Sequence, residues 1–158
     1  MRFPTMNSVS GVILSIMPFS GDCCANLVSI RTNNGIINVV VSRDTYVVDS
    51  SRLRQGMMVT AFYNPNLPTP MIFPPQYRAE VIAIRLPEEQ VVMEYFDQDR
   101  VASDGSLKIN IDRNTTIVTP NGQRYECNPA GNTLIVFFSS TTRSLPPQTT
   151  PRKIVVFC

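Results

Sequence analysis

Short apolar runs rich in β-branched residues recur along this chain, and each run ends at turn-forming residues. In the first half they cover residues 11–16, 27–31, 36–41, 45–48, 57–63 and 79–85. Runs of this length are typical of strands and too short for most helices. The 13 prolines favour the same conclusion, because proline removes a backbone donor and clashes with the preceding helical turn. The sequence therefore predicts an all-β protein.

One turn can be placed from the sequence with particular precision. Asn33, Asn34 and Gly35 separate two of the apolar runs. The tight turns of β-hairpins need positive φ angles, which Asn and Gly tolerate better than other residues. We therefore predict a hairpin centred on this tripeptide.

The second half of the chain repeats the first in order and content. Residues 110–118 (NIDRNTTIV) match 40–48 (VVSRDTYVV) at an offset of 70, and Gly131 with the run after it matches Gly56 at an offset of 75. Further on, residues 146–148 repeat the Pro-Pro-Gln of residues 74–76. Matches in the same order indicate an internal duplication. We expect a first unit over residues 1–86 and a second over residues 87–158.

Each copy contains a strand, a loop, a hairpin, a short strand, a connection with a glycine, a strand, a proline-rich loop and a last strand. This order resembles the OB fold, a small five-stranded barrel, and the resemblance implies two tandem OB-like small β-barrels. Another type of small barrel stays open, because the connection 49–55 is shorter than the helix that many OB folds have there. Residues 80–84 either serve both units as one shared strand, or residues 90–96 form a fresh strand.

The ionisable residues argue against catalysis. The chain contains no histidine, which removes the usual general base near neutral pH and the sites built on it. We therefore expect a protein that is not an enzyme and that has no cofactor and no catalytic residue.

The four cysteines, Cys23, Cys24, Cys127 and Cys158, lack the spacing of zinc ligands. We expect free thiols in a bacterial cytoplasm and no metal site. A soft-metal or redox sensor at the adjacent Cys23 and Cys24 is the alternative. No apolar stretch approaches the roughly 20 residues that span a bilayer, so no membrane contact is expected.

The proline-rich segment 64–77 is the candidate contact surface for a protein partner, together with a loop expected over residues 17–26 at the same barrel end. Five prolines stiffen the segment, and stiffness lowers the entropy lost on binding. The alternative is that its apolar residues fold back onto the barrel. The candidate partner-binding residues are Met71, Ile72, Phe73, Tyr77 and Phe62.

Alternation along two matched strands predicts which side chains face inward. Val59, Ala61 and Tyr63 are expected to face the core of the first unit, and Leu134, Val136 and Phe138 that of the second. Phe62 and Phe137 then face outward at matched positions. They need a cover, supplied by the other unit or by a second copy in a homodimer; a monomer or a homodimer is therefore expected.

Binding of single-stranded nucleic acid is the alternative function. An OB-like barrel can present aromatic side chains inside a basic groove. Net charge is only +2, with seven arginines against four acidic residues in residues 1–86. The face concerned would contain the arginines of the first unit: Arg31, Arg43, Arg52, Arg54, Arg78 and Arg85.

Overall fold

The computed structural model describes all residues, 1–158, and consists almost entirely of strands. Thirteen strands and one short 3-10 helix, Val48–Ser50, make up its regular structure. The all-β class predicted from the short apolar runs is confirmed. The single helix has three residues, so no helix is long enough to cross a membrane.

The chain divides into two compact units. The first is Met6–Leu86, and the second combines Met1–Thr5 with Pro87–Cys158. The sequence places the first five residues in the first unit. In the structure they lie against the second, because the Thr133 N–H donates to the Met1 carbonyl (2.7 Å) and the Phe3 N–H donates to Thr133 Oγ1 (2.9 Å).

Seven strands form the sheet of the first unit. Its strand order is β4-β7-β5-β1-β2-β3-β6. The two parallel pairs, β3 with β6 and β4 with β7, make the sheet mixed. The strands are β1 Asn7–Phe19, β2 Asp22–Thr32, β3 Gly35–Val41, β4 Tyr46–Val47, β5 Met58–Tyr63, β6 Gln76–Arg78 and β7 Val81–Ile84. The predicted hairpin is confirmed: β2 and β3 pair antiparallel, with Thr32 opposite Gly35.

The second unit contains a four-stranded sheet, β10-β13-β11-β8, and a two-stranded parallel sheet, β12-β9. Its strands are β8 Gln90–Phe96, β9 Lys108–Ile109, β10 Thr116–Val118, β11 Asn132–Phe138, β12 Gln148–Thr149 and β13 Lys153–Phe157. Strand β7 pairs in the first sheet, and β8 is a separate strand in the second unit. Of the two arrangements considered at this junction, the structure has the fresh strand.

The OB resemblance predicts closed barrels, but in neither unit do the paired strands form a continuous closed ring. In the first unit the sheet ends at β4 and β6. A turn at residues 42–45 interrupts the ladder, because hydroxyl groups take backbone donors there: the Ser42 N–H donates to Thr45 Oγ1 (3.0 Å) and the Asp44 N–H to Ser42 Oγ (3.2 Å). Side chains that bond the backbone locally compete with strand pairing.

The two units share a set of hydrogen bonds made by residues that match in the sequence. Gly56 and Gly131 both have positive φ (+89° and +80°). Their N–H groups donate over 2.8 Å to the carbonyls of Ile13 and Phe96, in β1 and β8. Thr45 Oγ1 donates to the Ala79 carbonyl (2.7 Å), and Thr115 Oγ1 to the Pro151 carbonyl (2.8 Å). The internal duplication stays a prediction. A duplicated chain would have such matching hydrogen bonds in its two units.

The predicted alternation of strands β5 and β11 is confirmed. Val59 and Ala61 belong to the first core, with Tyr63 packed against it, and Leu134, Val136 and Phe138 belong to the second. The side chains between them, including Phe62 and Phe137, are also buried. Both strands are therefore covered on both faces.

Candidate functional site

The loop between β5 and β6, residues 64–75, is the most unusual surface of the first unit, and we call it the proline loop. Its prolines lie at positions 65, 68, 70, 74 and 75. Each proline fixes its own φ and restricts the residue before it. The loop contains no charged residue. It therefore combines local stiffness with a neutral surface.

Two tyrosines hold the base of the proline loop. The rings of Tyr63, at the end of β5, and Tyr77, in β6, stack with centroids 4.0 Å apart and an interplanar angle of 15°. Leu67, Pro68 and Thr69 line the space beside them, which has a volume of only about 10 Å³. Burial raises the pKa of the Tyr77 phenol, and Tyr63 raises it further. The Tyr77 phenol is therefore uncharged at neutral pH.

Hydrogen bonds order both ends of the loop. The Asn38 N–H in β3 donates to the Pro75 carbonyl (2.8 Å). At the other end the Asn66 N–H donates to Asn64 Oδ1 (3.0 Å). The loop is thus turned locally at its start and bonded to β3 at its end.

The tip of the loop, Met71, Ile72 and Phe73, extends into solvent. Met71 is fully exposed, Phe73 is 92% exposed and Ile72 is 53% exposed. The alternative in which this segment folds back onto the barrel does not hold for Met71 and Phe73. Four of the nine large hydrophobic side chains exposed in the whole chain lie in this loop, Leu67 being the fourth. Such clustering marks a contact surface more than scattered exposure does.

The structure separates the five candidate residues. Met71, Ile72 and Phe73 form the tip, whereas Tyr77 lies half-buried in the base. Phe62 is 2% exposed and cannot meet a partner in this conformation. It lies on the face of β5 away from the first core, and alternation alone could not tell whether that face was covered.

The second loop expected beside the proline loop lies elsewhere. Residues 17–26 are not a long loop: β1 continues to Phe19 and β2 begins at Asp22. The start of β1 pairs with the end of β5, Asn7 opposite Tyr63, so the proline loop lies beside the start of β1. The turn between β1 and β2 follows the end of β1. The two segments are therefore at opposite ends of a 13-residue strand.

The adjacent cysteines have no further ligand for a metal ion. Cys23 and Cys24 are exposed and lie where the register of β1 and β2 shifts, between the pairs Phe19–Asp22 and Pro18–Asn26. No group of three or more His, Cys, Asp or Glu side chains comes together anywhere in the chain. The Cys24 N–H donates to Asp22 Oδ1 (2.8 Å), so the neighbouring carboxylate bonds the local backbone.

A cavity in the first unit has no counterpart among the predictions from the sequence. It has a volume of about 520 Å³, and we call it the end cavity. Five apolar residues line it, Ile16, Val28, Val41, Val47 and Leu53, with Asn26, Ser51 and Arg52. The signal in the sequence was the connection 49–55, which is too short for the α-helix that many OB folds have there.

The OB resemblance would place a nucleic-acid face on β2 and β3. Strands β2 and β3 contain no Phe, Tyr or Trp. Between them, Ser29 Oγ donates to Asn38 Oδ1 (2.6 Å). Arg43 and Arg78 line one cavity of about 350 Å³, but Asp22 and Asp44 line it as well. The charges there are balanced, which disfavours a phosphate backbone.

The second unit has its own loop at the place of the proline loop. Residues 139–147 connect β11 to β12, and they contain mostly Ser and Thr. Its one large apolar side chain, Leu145, is 96% exposed and directly precedes Pro146, as Phe73 precedes Pro74.

Comparisons with known proteins add no family to this description. No protein-family model matches the chain, and no curated protein or solved structure is significantly similar to it.

Proposed function

We propose that this chain is a non-enzymatic interaction module that binds a protein partner through the tip of the proline loop. The observation that supports it most strongly is the exposure of Met71 and Phe73, two large apolar side chains separated by one residue. Burying each of them against a partner stabilises a complex by roughly 1.5–3 kcal/mol. The same side chains contribute nothing comparable while they are in water.

The stiffness of the loop supports the same function. A flexible apolar tip would lose conformational entropy on binding, and that loss would offset part of the gain from burial. Here prolines restrict the backbone, and the Tyr63–Tyr77 stack fixes the base before any partner arrives. The loop can therefore bind without a large ordering step.

Single-stranded nucleic acid is the less favoured partner. Sequence-tolerant binding of single strands needs a basic groove and aromatic side chains on which bases stack. The strands that would form such a groove have no aromatic residue, and the tip of the proline loop has no charge. Neutral apolar side chains suit a protein surface better than a phosphate backbone.

We also propose an OB-like strand arrangement for each unit. Hydrogen bonds between the two parallel pairs of the first unit support it: the Ala79 N–H donates to the Val40 carbonyl (3.0 Å) and the Tyr46 N–H to the Glu80 carbonyl (2.9 Å). With these bonds β3 and β4 act as one bent strand beside β6 and β7. A cytoplasmic location is part of the proposal, and four exposed free thiols support a reducing compartment.

Site-specific photo-cross-linking tests the protein-binding function. A photoreactive amino acid replaces Phe73 in one variant and Leu145 in a matched control, because both residues are exposed and precede a proline. In cells that produce the chain, we expect a cross-linked protein species at position 73 that is much weaker at 145. Equal cross-linking at both positions, or none at 73, would contradict the proposal.

Titration with labelled oligo-dT and oligo-U addresses the alternative partner. We expect no appreciable binding at about 50 mM salt, where phosphate contacts are strong. Tight binding that weakens steeply towards about 200 mM salt would instead assign the function to the arginines.

A further inference from the structure

We propose that the end cavity of the first unit binds a small amphiphilic carboxylate, that is, an apolar chain with one anionic head group. The chain occupies the apolar part of the cavity, and the exposed Arg52 side chain binds the carboxylate. The inference goes beyond the proposed function, because no residue of the proline loop lines this cavity. The two sites can therefore be tested separately.

The apolar part of the cavity has the size of a small-molecule site. Its volume of about 520 Å³ lies within the range of pockets that hold small ligands, about 300–1,000 Å³. Val28 is completely buried. The other apolar residues of the lining are partly buried and pack against the first core: Ile16, Val41, Val47 and Leu53. These four keep apolar surface that a hydrocarbon chain can remove from water.

Three polar side chains line the same cavity and have no partner within the protein. They are Asn26, Ser51 and Arg52. None of the three side chains forms a hydrogen bond with another residue, and Arg52 takes part in no ion pair. The lining therefore offers a cation, an amide and a hydroxyl group to a ligand.

The charge of the lining selects an anion. Arg52 is its only ionisable residue, and no Asp or Glu lies there. A guanidinium presents two parallel N–H donors that match the two oxygens of a carboxylate. Asn26 and Ser51 can donate to the same head group. A carboxylate with an apolar chain therefore fits this cavity better than a cationic or an uncharged amphiphile.

The backbone that leads into the polar side of the cavity is unusual. Asp49 and Ser50 both have positive φ (+64° and +49°), which is costly for residues other than glycine. The chain becomes extended again at Ser51, and residues 51–53 line the cavity. Strain of this kind is found at ligand sites, where the surrounding structure holds the residues in place. It therefore supports a binding role for the segment that follows.

The second unit provides an internal comparison. Its cavity of about 640 Å³ lies at a matching place, because Val47 lines the first cavity and its sequence counterpart Ile117 lines the second. Asp112 and Glu126 also line the second cavity, and their carboxylates repel an anion. Of these two cavities, only the one in the first unit has a cation and no acidic side chain.

Titration of the isotope-labelled full chain with octanoate, followed by NMR, tests the proposal. We expect saturable shifts of the Val28, Val41 and Leu53 amide signals, with a dissociation constant on the order of 1 mM. Hexanoate is two methylene groups shorter and should bind about tenfold more weakly if the chain lies in the cavity. Acetate has the head group without the chain and should shift none of these signals.

Other compounds with the same chain test the head group. Octylamine, which is protonated at neutral pH, and the uncharged octanol should each bind at least about fivefold more weakly than octanoate. Octylamine or octanol that binds as tightly as octanoate would show that the cavity does not recognise a carboxylate.

Two matched arginine variants locate the head group. Arg52→Gln removes the charge at the end cavity and should raise the dissociation constant of octanoate about fivefold to tenfold. Arg113→Gln removes a charge at the second cavity and should leave that constant unchanged. Both side chains are exposed, so we expect both variants to fold, and thermal unfolding checks this.

Two further results would overturn the proposal. One is the absence of any shift in the three amide signals up to about 10 mM octanoate, well above the expected dissociation constant. The other is an equal effect of Arg52→Gln and Arg113→Gln. Neither result bears on the proline loop, because cross-linking at position 73 reports on a different surface.

Discussion

The proline loop and its counterpart, residues 139–147, connect corresponding strands of the two units, β5 to β6 and β11 to β12. Different side-chain interactions stabilise the two loops. Each returns to a short parallel strand through one bond of 2.8 Å, from the Asn38 N–H to the Pro75 carbonyl and from the Lys108 N–H to the Pro147 carbonyl. The peptide bond before the first proline of each Pro-Pro pair is cis in both. The backbone frame is thus common to the two units.

The difference lies in what the side chains of each loop do. In the second loop Thr142 and Ser144 share a hydrogen bond (2.6 Å), Ser144 Oγ donates to the Pro146 carbonyl (2.9 Å) and Thr142 Oγ1 accepts from the Gln148 N–H (3.0 Å). These polar groups bond within their own loop. The proline loop is held by ring geometry and by tyrosines at its base, which leaves the side chains of its tip available for another molecule.

The largest expected effect concerns the residue directly before the last strand of each unit, where Arg152 in the second unit occupies the place of Glu80 in the first. Arg152 donates to both carboxylate oxygens of Glu89 (2.8 and 2.9 Å), and the Glu89 side chain is only 5% exposed. Arg152→Met would leave that buried carboxylate without this bidentate partner. We expect a loss of about 3 kcal/mol in the free energy of unfolding, measured by denaturant titration.

A double variant sharpens this prediction. In Arg152→Met with Glu89→Gln the buried charge is gone, so we expect more than half of the lost stability to return. Glu80→Gln in the first unit is the matched control, with an expected change below about 0.5 kcal/mol because Glu80 has no such ion pair. Similar losses in the free energy of unfolding for Arg152→Met and Glu80→Gln would show that the Arg152–Glu89 ion pair does not set the second unit apart from the first.

One substitution in each unit compares the stacked tyrosines at the proline loop with the hydroxyl hydrogen bonds of the second loop. Tyr77→Leu removes one ring of the Tyr63–Tyr77 stack, and we expect it to destabilise the protein by about 1.5 kcal/mol. Thr142→Val removes one hydroxyl from the exposed network of the second loop, with an expected loss of about 0.5–1 kcal/mol. Denaturant titration measures both. If Thr142→Val is the more harmful, the tyrosine stack is not the stronger anchor.

The smallest expected effect depends on pH and again distinguishes the units. Burial, with a contribution from Asp49, raises the pKa of Tyr46 from 10.0 to about 12, whereas its sequence counterpart Thr116 does not titrate in this range. The unfolded chain ionises this phenol first, so its contribution to stability is complete below pH 10 and is lost between pH 10 and about 12. Because the phenol is only half-buried, we expect the loss to be about 1 kcal/mol.

Tyr46→Phe isolates this term from those of the other tyrosines. Between about pH 8 and about pH 11 the wild type should lose about 0.5 kcal/mol more than the variant, half of the full effect, in parallel denaturant titrations. Identical losses would mean that Tyr46 does not titrate differently in the folded and unfolded chains.

Some features of the site could be predicted because they depend on local chemistry. The stiffness of the proline loop follows from the prolines themselves, and the solvent exposure of its tip agrees with a surface loop rich in them. The location of residues 17–26 could not be predicted, because it depends on whether β1 and β2 continue through them. Strand ends are poorly determined by short-range patterns. The burial of Phe62 could not be predicted, because burial of an outer sheet face depends on distant residues.

By itself, the sequence determined the all-β class, the β2–β3 turn and the alternation of β5 and β11, because strand periodicity and turn conformations are properties of neighbouring residues. The tertiary structure alone decided that the first sheet ends at β4 and β6, that the proline loop and the β1–β2 turn lie at opposite ends of β1, and that an apolar cavity opens beside Leu53. These features depend on register and on hydrogen bonds between residues far apart in the chain, which no local pattern specifies.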